Sequence, residues 1–247
     1  MASSATSRDL YRGADPREIP AYTTIEAAHI VRVPETTIRA WVYGRRFPAA
    51  DGRQRLSTPL LIAAAPGLLS FNNLVEVHVL SALRRDYDVK MGRIRKALAY
   101  LASCLQTPRP LLDASMETDG VNIFVTRYSE LINVSQEGQL AMRALLEAYL
   151  IRLERDVHGL PIRFFPFLVR PQVTGQPQPP RFAEARPVTI DPRVMFGRPV
   201  ISGSRIPTAE VFGRFRAGDT IAEIAHDYER PAEDIETAIQ WESAAAA

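Results

Sequence analysis

The sequence predicts a mainly helical α+β chain, and three patterns predict it. Near the amino end, two short apolar stripes stand about three residues apart and lead into a basic stretch with hairpin signals. Longer helical periodicities mixed with strand-like runs fill the middle. Beyond a proline-rich segment, a glycine-bracketed extended stretch precedes three short capped helices.

Residues 1–20 are polar, contain Pro16 and Pro20, and read as a poorly ordered arm. Thr23 and Glu26 have capping-box spacing, and Ile25, Ala28 and Val31 form the first stripe. Pro34 suits the first turn of a second helix with Ile38, Trp41 and Val42 inward and Gly44 at its end. Two such helices predict a helix-turn-helix over 21–106. Arg45–Phe47, the Ala50-Asp51-Gly52-Arg53 turn and Pro59–Ile62 read as a hairpin where a wing would sit. Ser70 caps a helix to about Asp86 with Phe71, Leu74, Val75, Val79 and Leu83 inward, and a further helix spans Val89–Leu105.

A small α/β middle domain, 107–170, is expected next and is the expected dimer surface. Leu111–Ser115 and Val121–Arg127 read as strands about a Glu117–Gly120 turn. Ser135 caps a long helix to about His158, and Pro161–Val169 reads as a strand. Five prolines between Arg170 and Pro187 mark a linker over 171–187. The last unit, 188–243, has helices starting near Thr208, at Thr220 with its capping partner Glu223, and at Pro231.

Composition sets bounds. Of 247 residues, 46% are hydrophobic and 23% charged, as in ordinary globular proteins. There is no apolar run of membrane-spanning length and no apolar leader at Met1–Arg12, so a cytoplasmic protein without membrane association is expected. Cys104 is the sole cysteine and reads as a core thiol; the four histidines are scattered, so neither a disulfide nor a metal site is expected. A phosphate-cradling glycine loop and a Ser/His/Asp arrangement are both missing, so neither a cofactor nor an enzyme is expected.

The net charge of +2 hides an asymmetry. Arg32–Leu56 holds six arginines against two acids, whereas the chain from Glu184 onward holds seven arginines against eleven acids. A basic helix and hairpin suit a polyanion: short polar side chains reach base edges and arginines reach phosphates or guanine. The DNA-contacting candidates are Thr36, Thr37, Arg39 and Tyr43 on the second helix and Arg45, Arg46, Arg53 and Arg55 on the wing. The plain alternative is a helical hairpin with a solvated basic face.

Tyr22-Thr23-Thr24-Ile25-Glu26-Ala27 and Thr37-Ile38-Arg39-Ala40-Trp41 resemble the opening and recognition helix of the MerR-type winged helix, over about residues 21–105. The chain departs from that family in its longer, proline-interrupted hairpin and in having no long heptad run after it.

A second resemblance rests on Ile190-Asp191-Pro192, the run Gly197-Arg198-Pro199-Val200-Ile201-Ser202-Gly203-Ser204-Arg205-Ile206, and Gly218-Asp219-Thr220-Ile221-Ala222-Glu223-Ile224. These are similar to the domain of unknown function 433, with Ser202 and Thr208 departing from its usual residues. The joined architecture resembles VapB-like type II antitoxins that carry their own DNA-binding domain. That resemblance implies binding of promoter DNA and neutralisation of a PIN-like ribonuclease toxin, and a homodimer is expected because helix-turn-helix modules usually read paired half-sites. It implies toxin contacts at Arg198, Ile201, Arg205 and Ile206, with an inserted arginine neutralising an acidic metal site. The alternative for Arg198 and Arg205 is local pairing with Asp191 or Glu210. Rival readings are a MerR-like transcription regulator that senses a small molecule without a toxin, and an adaptor whose helix-turn-helix contacts protein.

Overall fold

The computed structural model describes residues 11, 13–48, 53–85, 91–117, 119–132, 135–166 and 186–244. The mainly helical α+β class holds, with an N-terminal helix-turn-helix. Strand β1 (Tyr22–Thr23) leads into α1 (Thr24–Val31) and α2 (Glu35–Tyr43). The hairpin β2 (Arg46–Pro48) and β3 (Gln54–Leu56) follows, and β4 (Leu68–Leu69) returns to pair antiparallel with β1.

Helix α3 (Phe71–Arg85) is the axis of the fold, with every residue from Phe71 to Ala82 buried. A helix covered on all sides must satisfy its polar groups internally. The Asn73 side chain accepts from the Ala64 and Ser70 amides at 3.0 and 3.2 Å and donates to the Ile62 carbonyl at 2.8 Å. Arg109 holds the buried Glu76 carboxylate at 2.9 Å and also reaches Glu18 at 2.6 Å. His78 stacks on Tyr149 and bonds its carbonyl at 3.1 Å.

Helix α6 (Gln136–Leu150) packs on α3, α5 (Asp119–Ile132) on α6 and α4 (Met91–Leu105) on α5, and the antiparallel pair β5 (Leu153–Arg155) and β6 (Pro161–Phe164) closes this part. One hydrophobic core runs from Tyr22 through Phe164 to Ile190, so residues 21–106 and 107–170 share their buried side chains.

The structure revises several expectations. Leu111–Arg127 is not a hairpin: Ala114–Glu117 is a 3-10 turn and α5 begins at Asp119. Gly120 serves packing, because a Cβ there would meet the Ser115 carbonyl at 2.9 Å. The second wing strand is Gln54–Leu56; Leu60 and Leu61 instead donate to the Trp41 carbonyl and cap α2. Ser135 does cap α6, but that helix stops at Leu150, and the expected strand at Pro161 ends at Phe164. Cys104 is exposed, on the outward face of α4. The arm is pinned where it is described: Arg17 pairs with Asp15 and Asp156, and Glu18 with Arg109. The Asp51-Gly52 turn, the Leu83 side chain, Phe167 and linker residues 171–185 lie outside the described residues.

The last unit begins with β7 (Val188–Thr189), paired antiparallel with β8 (Val200–Ile201). Helices α7 (Thr208–Ala217), α8 (Ile221–Asp227) and α9 (Ala232–Ser243) enclose a small second core of Ile201, Val211, Ile224, Ile235, Ala238 and Ile239. The Thr220–Glu223 capping box forms as expected.

Candidate nucleic-acid interface

The amino-terminal site is built on two short helices held at a fixed angle by their ends. The Thr23 hydroxyl accepts from the Glu26 amide and the Glu26 carboxylate accepts from the Thr23 amide, which starts α1. Arg32 closes α1 in a left-handed conformation, φ 56°, and Pro34 opens α2 two residues later. The Thr24 hydroxyl donates to the Glu35 carboxylate at 2.7 Å, tying the two helix starts together. Ile38, Trp41 and Val42 bury against the α1 side, where Ala27, Ile30 and Val31 are buried. Full burial of such side chains stabilises by roughly 1.5–3 kcal/mol each.

Helical periodicity then decides what α2 can present. Thr36, Arg39 and Ala40, at i, i+3 and i+4, form its outer stripe, whereas Tyr43 at i+7 is half-buried against the core with its hydroxyl covered. Arg39 is well exposed, lies 3.7 Å from Glu35 and places its guanidinium over the Tyr43 ring at 5.6 Å. Thr37 stands one turn before Trp41 on the inner stripe and is only 4% exposed. It is therefore a packing residue, and its expected place among the base-contacting residues is corrected. The four-residue relation of Thr37 to Trp41 was the signal that could have shown this.

The wing follows without a linker. Gly44, at φ 79°, joins α2 to the hairpin, and a Cβ there would stand 2.1 Å from the Ser57 carbonyl. Only glycine lets the returning strand approach this closely. Phe47 faces Arg55 in the antiparallel register, and the Ser57 amide donates to the Arg45 carbonyl at 2.9 Å. Arg45, Arg46, Arg53 and Arg55 are all exposed. The structure thus brings Thr36 and Arg39 onto the outer face of α2, followed by the four exposed wing arginines. Tyr43 packs partly against the core with its hydroxyl buried, so its expected place among the groove-contacting residues is corrected. Such an arrangement offers hydrogen-bonding side chains to a groove and guanidinium groups to phosphates.

The C-terminal candidates separate into two kinds. Arg198 and Arg205 are exposed, and neither pairs with Asp191 or Glu210. Asp191 is instead taken by Arg163 at 3.1 Å. Ile201 is a core residue, 2% exposed, and Ile206 is half-buried against the same core, so Ile201 is corrected from a surface contact to packing. The outer faces of α8 and α9 and the turn between them expose Glu223, Asp227, Glu229, Glu233 and Glu236, which repel phosphate.

Sequence reasoning missed how the two ends meet. The guanidinium of Arg32 lies 4.1 Å over the Trp241 ring and donates to the Trp241 carbonyl. His29 reaches Glu242 at 3.0 Å. Burial by itself would raise the Glu242 carboxyl, but hydrogen bonds from His29 and Thr208, with the nearby His29 and Arg32 charges, hold it below the usual carboxylate value. The Tyr22 hydroxyl donates to the Gly197 carbonyl at 2.7 Å, and burial pushes that phenol far up, so it stays a donor. No local sequence pattern marks partners this distant along the chain. Among the described residues there is no cluster of His, Cys, Asp and Glu fit for a metal ion, and no helix is long and apolar enough to cross a membrane.

Comparison with known proteins agrees with this division. Residues 20–98 match the family described as "Putative DNA-binding HTH domain", and residues 188–241 match "Protein of unknown function (DUF433)". The chain is 31% identical over 231 residues to "Putative antitoxin VapB45" of Mycobacterium tuberculosis, covering 85% of this chain and 89% of that protein. The crystal structure of Rv2018 from Mycobacterium tuberculosis superposes with a TM-score of 0.62 at 24% identity, over 90% of this chain and 98% of that one, which shows a shared fold. By its likeness to the mycobacterial protein over most of both chains, the protein belongs to the family of VapB-like antitoxins that join a helix-turn-helix DNA-binding domain to a C-terminal DUF433 domain.

Proposed function

We propose that this protein is the antitoxin of a type II toxin–antitoxin pair, binding its own promoter through α2 and the wing and silencing a PIN-like ribonuclease through the C-terminal domain. The observation that carries the DNA half is the outer face of α2, where Thr36 and Arg39 are exposed, followed by the exposed arginines in and beside the hairpin, Arg45, Arg46, Arg53 and Arg55. The stripe enters the major groove and the wing arginines hold the flanking phosphates. A homodimer reads two half-sites. The ribonuclease half draws support from the likeness to "Putative antitoxin VapB45" and from Arg198 and Arg205, exposed cations without an acidic partner among the described residues. Either guanidinium, set among the carboxylates of a nuclease metal site, would neutralise the charge that holds the metal.

The test is binding of the purified chain to its promoter fragment and to random DNA of equal length at two salt concentrations, with ribonuclease inhibition measured alongside. Preference for the promoter, a steep salt dependence and inhibition of the ribonuclease encoded beside the gene are expected. Equal affinity for both DNAs, or full ribonuclease activity with the chain in excess, would overturn the corresponding half.

A further inference from the structure

The turn from Asp191 to Arg198 holds an unusual backbone. Met195 and Phe196 adopt left-handed φ values of 47° and 55°, and Gly197 follows at 78°. Side-chain-bearing residues hold such a conformation at a cost, and only where the surroundings fix it; such strain gathers at clamps and binding sites. Here the surroundings are explicit. Tyr22 donates to the Gly197 carbonyl at 2.7 Å, and Tyr11 donates to the Pro192 carbonyl at 2.6 Å. The Asp191 carboxylate accepts from the Arg193 amide at 2.8 Å, and the Gly197 amide closes the turn on the Val194 carbonyl at 3.0 Å.

What this scaffold presents is an aromatic ring. Phe196 is 65% exposed, with Tyr11 meeting it edge-on at 6.4 Å. Arg193 and Arg198 are exposed on either side of it in sequence, and neither forms an ion pair with another described residue. We propose that Phe196, flanked by Arg193 and Arg198, is the anchor by which the C-terminal domain docks into an acid-rimmed apolar pocket of its ribonuclease partner. The inference rests on the antitoxin reading above and adds to it the residue that seats the complex.

The physical case has two parts. A rigidly held aromatic brings a large apolar area to an interface and loses little freedom on docking, and aromatic and arginine side chains dominate interface hot spots. The two guanidinium groups select a rim of carboxylates over one of lysines, which a nuclease with an acidic metal site supplies.

The experiment uses the full chain with Phe196→Asn, Phe196→Trp and Arg193→Ala. Asparagine accepts the left-handed backbone, so the turn is kept while the ring is lost. Binding to the purified ribonuclease encoded beside the gene is measured by calorimetry, with promoter binding and Tm in parallel. Phe196→Asn is expected to weaken ribonuclease binding by about thirtyfold or more, Arg193→Ala severalfold, and Phe196→Trp little, with promoter affinity and Tm unchanged. Wild-type affinity in both Phe196→Asn and Arg193→Ala overturns the anchor and leaves the antitoxin reading standing. No binding by the wild-type chain overturns that reading and the anchor with it. A fall in the sedimentation mass of the free chain with Phe196→Asn assigns the ring to contact between two copies and also overturns the anchor.

Discussion

Arg45 and Arg46 stand exposed beside and within the hairpin and form no ion pair with any described residue, whereas Arg214 and Arg230 of the C-terminal helical unit are held by acids. Arg214 is gripped by Asp219 at 2.6 Å and Asp227 at 2.7 Å, and Arg230 by Asp234 at 2.7 Å. Both regions are short helices joined by tight turns, and both expose charge. One offers Arg45 and Arg46 outward, while the other holds Arg214 and Arg230 within its own surface and exposes carboxylates on α8 and α9. On the proposed reading, the two helical units serve opposite partners, a polyanion at one end and a protein at the other.

Removing the outward cations is the strongest way to break this contrast. Changing Arg45, Arg46, Arg53 and Arg55 together to alanine should lower the log–log salt slope of DNA binding by about 3–4, since each phosphate contact contributes about 0.9. The affinity lost between 50 and 200 mM salt then shrinks by roughly a hundredfold, as titrations by fluorescence anisotropy would read. Changing Arg214 and Arg230 instead should lower Tm and leave the slope alone.

The outer and inner stripes of α2 sharpen the contrast at the next level. Arg39→Ala should cost about 1–3 kcal/mol of discrimination against altered operator bases, measured with a panel of single-base variants. Thr37→Ala should leave that panel unchanged and lower Tm, because its side chain is packed inside. Gly44→Ala should destabilise by about 1–3 kcal/mol and loosen the wing, since φ 79° and the Ser57 carbonyl leave no room for a methyl group. Denaturant titration and proteolysis of the hairpin report the two effects.

The smallest effect concerns the contact between the two regions. The Glu242 carboxyl is held below its ordinary value of 4.5, so its stabilising contribution is present above that pH and is lost as pH falls through the lower folded value. Glu242→Gln should lower Tm at neutral pH, and the gap from wild type should close on acidification below pH 4.5. A gap that stays constant with pH would remove the His29–Glu242 pair from the account.

Local signals carried much of this structure in the sequence. The Thr23–Glu26 and Thr220–Glu223 capping boxes, Gly44 and Gly218 mark true helix ends because each solves a problem within one turn of backbone. Asp119-Gly120 misled for the same reason: the pair has turn chemistry, but Gly120 is there to let α5 pass close to Ser115, a tertiary demand that no local window contains. Cys104 looked apolar among leucines, yet it occupies the outward stripe of α4, with Ile94, Leu98 and Leu101 taking the inner one. On the site, residue type was legible and facing was legible only through phase: Arg39 falls on the exposed outer stripe of α2, and Thr37 on the packed inner one. The contacts of Tyr22 with Gly197 and of Arg32 with Trp241 depend on the assembled fold and left no trace in either local sequence.

Hydrogen–deuterium exchange of the chain with and without its promoter fragment tests the division of labour most directly. Slowed exchange across residues 35–56, with 221–243 unchanged, is the predicted result. Slowed exchange in 221–243 with 35–56 unaffected would contradict it.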